Sequence, residues 1–265
     1  MQIDFYKYEG TGNDFIIVNN RDLKFQKNYE GLIKNICDRK KGVGADGLIL
    51  LENHDTLDFR MIYFNADGSE SGFCGNGSRC ITHLAHNLNI IEDKAVFKAI
   101  DGTHESRIIN QKISVRMSDV SKANIFSYND SFNTTFIDTG SPHLIRIYEN
   151  IDSIDIVREA RELKLKYSEY SDGLNINFCE ISDSKIKLRT YERGVENETL
   201  SCGTGAVALA VCLDINSKIK NDKVLIYTKG GELKVSLKKI ESNYSDIWLL
   251  GGVEQVYSGE YNLDK

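Results

Sequence analysis

The feature that most constrains this chain is a pattern that occurs twice, 128 residues apart. Cys74-Gly-Asn-Gly and Cys202-Gly-Thr-Gly each precede an apolar segment with helical character, and the turns Thr11-Gly12 and Thr139-Gly140 are separated by the same offset. Both copies lie in the same order of strand, glycine turn, helix, strands, cysteine loop and buried helix. Internal duplication explains this order most simply. We therefore expect two similar lobes, with one cysteine from each facing a common cleft.

The polar segment 118–131 is the best candidate boundary between the lobes. It predicts an N-terminal lobe over 1–120, a C-terminal lobe over 121–252, and one more strand in the tail. Apolar residues at helical spacing predict helices, which we place at about 30–39, 76–88 and 153–164, and over the run 206–213 that follows Cys202. Ser153 is the expected N-cap of the third helix.

The bulk composition limits the compartment and the partners. The chain has 265 residues, of which 41% are hydrophobic and 27% charged, and its net charge is −6 without any basic run. Nothing therefore suggests a nucleic-acid or membrane partner. We see no signal peptide and no apolar run of the ~20 residues that a membrane helix needs, so we expect a cytoplasmic protein, and the sequence is compatible with a homodimer.

The six cysteines do not form a metal-binding or redox motif. Their positions (37, 74, 80, 179, 202 and 212) include no Cys-x-x-Cys pair, and His83 and His86 near Cys80 lack a second ligand cluster. We therefore expect no metal and no cofactor.

A cysteine at the start of a helix suits acid–base chemistry. The unpaired N–H groups there lower a thiol pKa from ~8.5 toward neutrality, and the neighbouring glycines let a carboxylate approach those N–H groups. Two such thiols could act on one carbon, one removing a proton and the other delivering one to the opposite face. Two alternatives remain open, namely small buried residues and a thiol pair that forms a disulfide on oxidation.

Other polar residues could belong to the same site. His143 follows the only proline at the repeated turn and is either a core histidine or a residue that tunes a thiol. Glu192 and Arg193 are either solvated strand-end residues or partners of a substrate ammonium and carboxylate. Four asparagines are either turn residues or donors and acceptors for a zwitterionic amino acid: Asn13, Asn65, Asn76 and Asn175.

Six motifs together resemble those of the diaminopimelate epimerase family. They are Gly10-Thr-Gly-Asn-Asp-Phe15, Gly42-Val-Gly-Ala-Asp46, Phe64-Asn-Ala-Asp-Gly-Ser-Glu70, Cys74-Gly-Asn-Gly-Ser-Arg-Cys80, Gly140-Ser-Pro-His143 and Glu192-Arg-Gly…Glu198-Thr-Leu-Ser-Cys-Gly-Thr-Gly205. The resemblance implies an α+β fold of two pseudo-symmetric lobes, each a curled, mostly antiparallel sheet around a central helix. It also implies that the C-terminal strand, about 253–265, returns to the first lobe.

The resemblance further implies an isomerase that converts LL-diaminopimelate to the meso form without PLP, in lysine and peptidoglycan precursor synthesis. Cys74 and Cys202 would be the two acid–base residues, and His143 and Glu192 would tune them. The residues implied in substrate binding are Asn13, Asn65, Gly75, Asn76, Asn175, Glu192, Arg193, Gly203 and Thr204.

The chain departs from the family pattern at two positions. Gly47 stands where many members have glutamine, and Ser141 stands where many have asparagine. Both positions lie among substrate contacts in the family. Epimerisation or racemisation of another amino acid, such as lanthionine, is therefore an alternative function. A separate alternative, independent of these two positions, is a non-catalytic amino-acid-binding or thiol redox protein on the same fold.

Overall fold

The chain folds into two compact units. The computed structural model describes residues 2–25, 30–128, 130–132, 134–168, 173–182, 185–219 and 221–263. The first unit contains Met1–Val115 together with Gly251–Lys265, and the second contains Arg116–Leu250. Each unit is mostly sheet and carries two of the four α-helices found in the described ranges.

Among its described residues, the first unit holds nine strands and two helices. Its strands are β1 (Gln2–Gly10), β2 (Asn13–Asn19), β3 (Gly47–Glu52), β4 (Phe59–Asn65), β5 (Glu70–Ser71), β6 (Lys94–Ala99), β7 (Gly102–Ile109), β8 (Lys112–Arg116) and the last strand of the chain, β18 (Glu254–Asn262). Its helices are α1 (Glu30–Cys37) and α2 (Gly75–Asn87). β18 pairs antiparallel with β1, while β2 and β3 are parallel.

Strands β2 and β3 are apolar on both faces because each face is covered by a helix. Phe15, Ile17 and Ile49 pack with α2, whereas Ile16 and Leu48 pack with α1. Alternate residues of a strand point to opposite faces. A continuous apolar strand between two helical layers follows from this geometry.

The second unit repeats this plan. Its strands are β9 (Ile125–Ser127), β10 (Thr135–Asp138), β11 (Pro142–Tyr148), β12 (Asn175–Ile181), β13 (Ile186–Glu192), β14 (Asn197–Thr199), β15 (Lys223–Thr228), β16 (Gly231–Ile240) and β17 (Asn243–Gly251). Its helices are α3 (Ile156–Lys166) and α4 (Gly203–Ile215). β11 and β12 are parallel, as β2 and β3 are in the first unit.

Helix α4 is the central helix of the second unit. Residues 205–213 are all buried, as expected for a helix that is apolar on every side. Leu144, Ile176 and Phe178 face away from α4 and pack with α3, so the sheet of this unit also lies between two helices. The predicted α+β fold, with two repeated halves around central helices, is confirmed.

The helix ends differ from the sequence prediction by up to three residues, and two other local details differ as well. The N-cap of α3 is Asp155 and not Ser153, because the Asp155 carboxylate accepts a hydrogen bond from the N–H of Arg158 over 3.1 Å. The polar segment 118–131 contains a short strand, β9, which pairs with β10. In the described part of the chain, no helix is both long and apolar enough to cross a lipid bilayer.

Candidate active site

Cys74 is the N-cap of helix α2. Its backbone is extended (φ −116°, ψ 113°), and its Sγ accepts a hydrogen bond from the N–H of Gly77 over 3.5 Å. Gly77 must be small, since a Cβ there would lie 2.9 Å from Cδ1 of Ile49 in the sheet below. The half-buried thiol thus lies among the unpaired N–H groups of the first helical turn, which favour a thiolate.

A directional chain of hydrogen bonds runs beside Cys74. Arg79 Nη2 donates to Asn76 Oδ1 over 3.0 Å, Asn76 Nδ2 donates to Asn13 Oδ1 over 3.3 Å, and Asn13 Nδ2 donates to Asp46 Oδ2 over 2.6 Å. A guanidinium only donates and a carboxylate only accepts, so both amides have one allowed orientation. Asn13 therefore presents its oxygen to Cys74 Sγ, which lies 3.9 Å away.

Arg79 is a buried cation at the start of this chain. Its side chain is fully buried, Nη2 also donates to Thr11 Oγ1 over 2.8 Å, and Nη1 donates to the carbonyl of Gly75 over 3.4 Å. Nε has no hydrogen-bond partner among the described residues. Burial lowers the pKa of Arg79, while the negative charges that Cys80, Cys74 and Glu9 carry when deprotonated oppose that effect.

An ion-pair network holds the other end of the chain. Arg39 binds Asp14 through two hydrogen bonds of 3.0 and 2.6 Å and donates a third to Asp46 over 2.8 Å. Burial would raise the pKa of Asp14, but hydrogen bonds from Arg39 and Lys7 outweigh it and lower the pKa to about 2. Asp46 is thereby fixed as the acceptor for Asn13.

Asn65 and Gly47 are directly opposite each other on β4 and β3. Asn65 closes its own turn, because its N–H and Nδ2 donate to Ser69 O and Oγ over 2.9 and 3.2 Å. A Cβ on Gly47 would lie 2.5 Å from both the Phe64 carbonyl oxygen and Cε2 of Tyr63. The family departure at Gly47 therefore accompanies a Tyr63 ring that fills the space of a side chain at that position.

Cys202 occupies the equivalent N-cap of helix α4. Its backbone is again extended (φ −133°, ψ 115°), but its side chain makes no capping hydrogen bond, and its Sγ lies 3.4 Å from the hydroxyl Oγ1 of Thr204 in the first turn of α4. Gly203 opens the helix, and Gly205 is needed because a Cβ there would be 2.6 Å from Asn177 Oδ1. Cys202 is only 7% exposed.

His143 on β11 connects to Cys202 through Thr204. His143 Nε2 lies 2.9 Å from Thr204 Oγ1, and His143 Nδ1 lies 3.0 Å from Asn177 Nδ2. Burial lowers the pKa of His143 to about 3, and the charge of Arg193 acts in the same direction. The imidazole is therefore neutral at physiological pH.

Asn175 organises a neighbouring group at the ends of β11 and β13. Its Nδ2 donates to Ser141 Oγ over 2.8 Å and to the Pro142 carbonyl over 3.0 Å, and its Oδ1 accepts from the N–H of Arg193 over 3.0 Å. Ser141, the second family departure, is therefore part of the hydrogen-bonded turn before His143.

Arg193 and Glu192 lie where β13 ends. The aliphatic part of the Arg193 side chain crosses Gly173, where a Cβ would be 2.6 Å from Arg193 Cδ. Gly173 has a φ of +95°, so both its conformation and its space favour glycine. Arg193 is exposed and Glu192 is half-buried.

The residues predicted from the sequence thus fall into local groups. Cys74, Gly75, Asn76 and Asn13 lie together in the first unit; Cys202, Gly203, Thr204 and His143 lie together in the second, with Asn175 and Arg193 in an adjacent group of that unit. Asn65 hydrogen-bonds within its own turn.

Sequence reasoning missed two buried polar residues, Arg79 and Asn177. The available signal was a polar residue inside an apolar segment, since Asn177 stands between Ile176 and Phe178, and Arg79 lies inside a buried helix. Such residues must find hydrogen-bond partners, although the sequence does not show which ones.

Comparison with known proteins identifies the family. The family model described as diaminopimelate epimerase matches residues 5–123 and 135–256. The chain belongs to the diaminopimelate epimerase family. It is 45% identical over 256 residues to diaminopimelate epimerase from Flavobacterium psychrophilum, covering 95% of this chain and 97% of that protein. It is 33% identical to the enzyme of that name from Aquifex aeolicus, covering 97% of each chain.

Solved structures with much lower identity share the fold. A phenazine biosynthesis protein of the PhzF family from Bacillus anthracis is 15% identical with a TM-score of 0.79, covering 99% of each chain. A hydroxyproline epimerase from Agrobacterium vitis is 14% identical with a TM-score of 0.69, covering 100% of this chain and 93% of that one. At these identities the similarity concerns the fold alone.

Proposed function

We propose that this chain epimerises LL-2,6-diaminopimelate to meso-diaminopimelate by two-thiol proton transfer at the α-carbon. The observation that carries the proposal is that each repeated unit places one thiol at the N-cap of its central helix, in a chain of this family. The reaction serves lysine and peptidoglycan precursor synthesis. The cytoplasmic location and the homodimer remain predictions.

The proposed chemistry needs one thiolate and one thiol. The thiolate takes the α-proton, so that the C–H bond breaks, an S–H bond forms, and the electron pair stays on the α-carbon and its carboxylate. The opposite thiol then gives its proton to the other face of the carbon and becomes the thiolate. In the reverse direction the two cysteines exchange roles, so neither is permanently the base.

The start of each helix supports the charge that develops on the substrate carboxylate. Gly75-Asn76 and Gly203-Thr204 form the first turns of α2 and α4, where unpaired N–H groups favour an anion. Negative charge grows on the carboxylate oxygens when the proton leaves, so preorganised donors stabilise the transition state more than the ground state.

The rest of the substrate would be bound by the remaining polar groups. Arg193 is exposed and can hold a carboxylate through two parallel hydrogen bonds. Asn13, Asn65 and Asn175 offer neutral amide groups, and Glu192 offers a carboxylate for an ammonium group.

The test is solvent exchange at the α-carbon. Purified protein in deuterium oxide, without added PLP or metal, is expected to incorporate deuterium at the α-carbon of diaminopimelate, measured by proton NMR. Cys74→Ala and Cys202→Ala are each expected to abolish epimerisation. Full activity in either variant would overturn the two-thiol mechanism.

The same assay separates the alternative functions. Parallel samples contain lanthionine and other amino acids as the only substrate. Faster exchange with lanthionine than with diaminopimelate would change the substrate assignment, for which the Gly47 and Ser141 departures are the motivation. No exchange with any amino acid would indicate a binding or redox protein.

A further inference from the structure

The structure assigns Asn177 a positioning role in the proposed reaction: it fixes the Nε2–H tautomer of His143, which makes the Thr204 hydroxyl a hydrogen-bond donor to Cys202. This inference rests on the proposed function. It adds a residue that does not touch the thiol and acts through two intermediates.

The orientation of the Asn177 amide is determined by its neighbours. Nδ2 lies 3.2 Å from the Leu144 carbonyl and 3.4 Å from the Asn175 carbonyl, both of which only accept, and Oδ1 accepts from Thr190 Oγ1 over 2.9 Å. The amide is fully buried. A flipped amide would place its oxygen against two carbonyl oxygens, so Nδ2 is the atom that faces His143.

This orientation selects one tautomer of the imidazole. Because Asn177 Nδ2 donates to His143 Nδ1 over 3.0 Å, Nδ1 must be without a proton. Burial keeps the ring neutral. The single ring proton is therefore on Nε2, 2.9 Å from Thr204 Oγ1, and Thr204 accepts it.

The Thr204 hydroxyl then has one hydrogen-bond acceptor among the described residues, the sulfur of Cys202. Its oxygen has two neighbours within hydrogen-bond range in the described chain, namely His143 Nε2 and Cys202 Sγ at 3.4 Å. Since His143 donates, the hydroxyl donates to the sulfur. A donor stabilises a thiolate more than a thiol, so the chain from Asn177 favours the form of Cys202 that removes a proton.

The register of the sheet explains how these residues meet. β11 and β12 are parallel and β12 and β13 are antiparallel, with Asn177 directly opposite Thr190. His143 lies on β11, Asn177 on β12 and Thr190 on β13. Thr204 lies in the first turn of α4. Arg193 is the charged group that acts on His143, and Glu192 precedes it at the end of β13.

The polarity beside Cys74 is opposite. There the atom of the hydrogen-bond chain that faces the sulfur is an acceptor, Asn13 Oδ1, at 3.9 Å. The Gly77 N–H also donates to that sulfur. The chain itself runs between two charged residues, Arg79 and Asp46. The inference therefore concerns Cys202, where the hydroxyl donor can be removed without changing a charge.

The first experiment reads the tautomer directly. Protein labelled with nitrogen-15 in histidine is examined at pH 7 by two-bond proton–nitrogen correlation, and His143→Gln identifies the His143 signals. We expect a proton on Nε2 and none on Nδ1. A proton on Nδ1, or on both nitrogens, overturns the assignment.

The second experiment reads the thiol. Alkylation of Cys202 by iodoacetamide is followed against pH by mass spectrometry of its peptide, without substrate. Thr204→Val should move the pH midpoint up by about one to two units, since the thiolate loses a hydrogen-bond donor, while Thr204→Ser should keep the wild-type midpoint. An unchanged midpoint in Thr204→Val overturns the proposed donor.

Variants of Asn177 and Thr190 separate positioning from packing. Asn177→Leu should release the Nε2–H tautomer and shift the Cys202 midpoint upward. Thr190→Val removes a partner of Asn177 Oδ1 but keeps the Nδ2 donor, so it should lower stability and leave the midpoint in place. If folded Asn177→Leu keeps the wild-type His143 tautomer and the wild-type Cys202 midpoint, the proposed role is overturned. If that variant does not fold, the His143 tautomer in the wild-type protein and the comparison of Thr204→Val with Thr204→Ser decide.

Both readouts are independent of turnover. Failure to exchange the α-proton of diaminopimelate would overturn the proposed function while leaving the tautomer and the alkylation profile to be judged separately.

Discussion

Arg79 donates a hydrogen bond from Nη2 to Oδ1 of Asn76 over 3.0 Å and so decides which end of that amide faces Asn13. The guanidinium is fully buried, and among the described residues it forms no salt bridge, although the charge of Glu9 acts on it at longer range. A buried charge without a close counter-charge is strongly unfavourable. We infer that a Cys74 thiolate, or a substrate carboxylate at the start of α2, provides the balancing negative charge.

Removing this charge should impair the thiol in the first unit. In Arg79→Met we expect kcat/KM to fall by at least about tenfold, which corresponds to about 1.4 kcal/mol. The pH midpoint for alkylation of Cys74 should rise because the thiolate loses a nearby cation. Exchange kinetics and peptide mass spectrometry measure the two effects.

The controls distinguish charge from packing. Arg79→Lys keeps the charge and should preserve the Cys74 midpoint better than Arg79→Met. Arg146 in the second unit is also buried but contacts Glu159 over 3.3 Å, so Arg146→Met should lower stability without moving the Cys74 midpoint. Equal midpoints in wild type and Arg79→Met would contradict the electrostatic role.

Burial of neutral His143 should make stability depend on pH. Its pKa is about 3 in the folded chain and 6.5 when unperturbed. Above pH 6.5 both folded and unfolded states are neutral at this site. Between about pH 6.5 and 3 the unfolded state binds a proton that the folded state does not, so the free energy of unfolding falls as pH falls.

A comparison with His143→Gln, which has no titrating group at this position, isolates the contribution of His143 to the pH dependence of stability. Between pH 6.5 and 4.5, wild type should lose up to about 1 kcal/mol per pH unit more than His143→Gln. Urea unfolding at several pH values measures this difference. Parallel pH profiles would show that His143 is protonated in the folded protein.

The six cysteines should differ strongly in reactivity. Cys37, Cys80, Cys179 and Cys212 are buried, and burial raises the pKa of each thiol, that of Cys37 to about 12. Cys202 is also only 7% exposed, but its sulfur, like that of Cys74, lies at a helix start that favours the thiolate. Iodoacetamide at neutral pH should therefore modify Cys74 and Cys202 in the folded protein before the other four, as mapped by peptide mass spectrometry. Early modification of Cys179 or Cys212 without unfolding would contradict the packing described here.

A side chain at position 47 should be poorly tolerated. Gly47→Gln would bring Cβ within 2.5 Å of the Phe64 carbonyl oxygen, so the backbone of β4 and the Tyr63 ring must both move. We expect a loss of about 1–3 kcal/mol in the free energy of unfolding, as for other overpacked sites. Gly72→Ala is the matched control, since a Cβ there meets nothing within 4 Å; equal stability of the two variants would contradict the steric account.

The fold was largely predictable because its strongest signals are local patterns used twice. The apolar run after Cys202 predicts a helix buried on all sides, and residues 205–213 are buried. Smaller features depended on a choice between residues or segments with similar local preferences, which the sequence does not resolve. Asp155 caps α3 although Ser153 is also a good capping residue, and β9 forms in a polar segment because β10 supplies its hydrogen-bond partners.

The site was predictable only to the level of residue type. Helix-start thiols and glycines can be read from spacing, and they lie where spacing places them. The roles of Arg79 and Asn177 depend on which oxygen or nitrogen each side chain meets across the sheet, and that depends on strand register. Asn65 shows the converse, because its side chain satisfies its own turn.

The pairing of β18 with β1 has a consequence for how the protein is made. β1 lies between β2 and β18. The backbone groups on one side of β1 therefore have no strand partner until the ribosome has added β18, which follows the whole second unit in the chain. Every strand of the second unit precedes β18 in the chain, whereas the first unit has an open sheet edge on β1 until Glu254–Asn262 has been added. Order of synthesis and order of completion are therefore reversed in this chain.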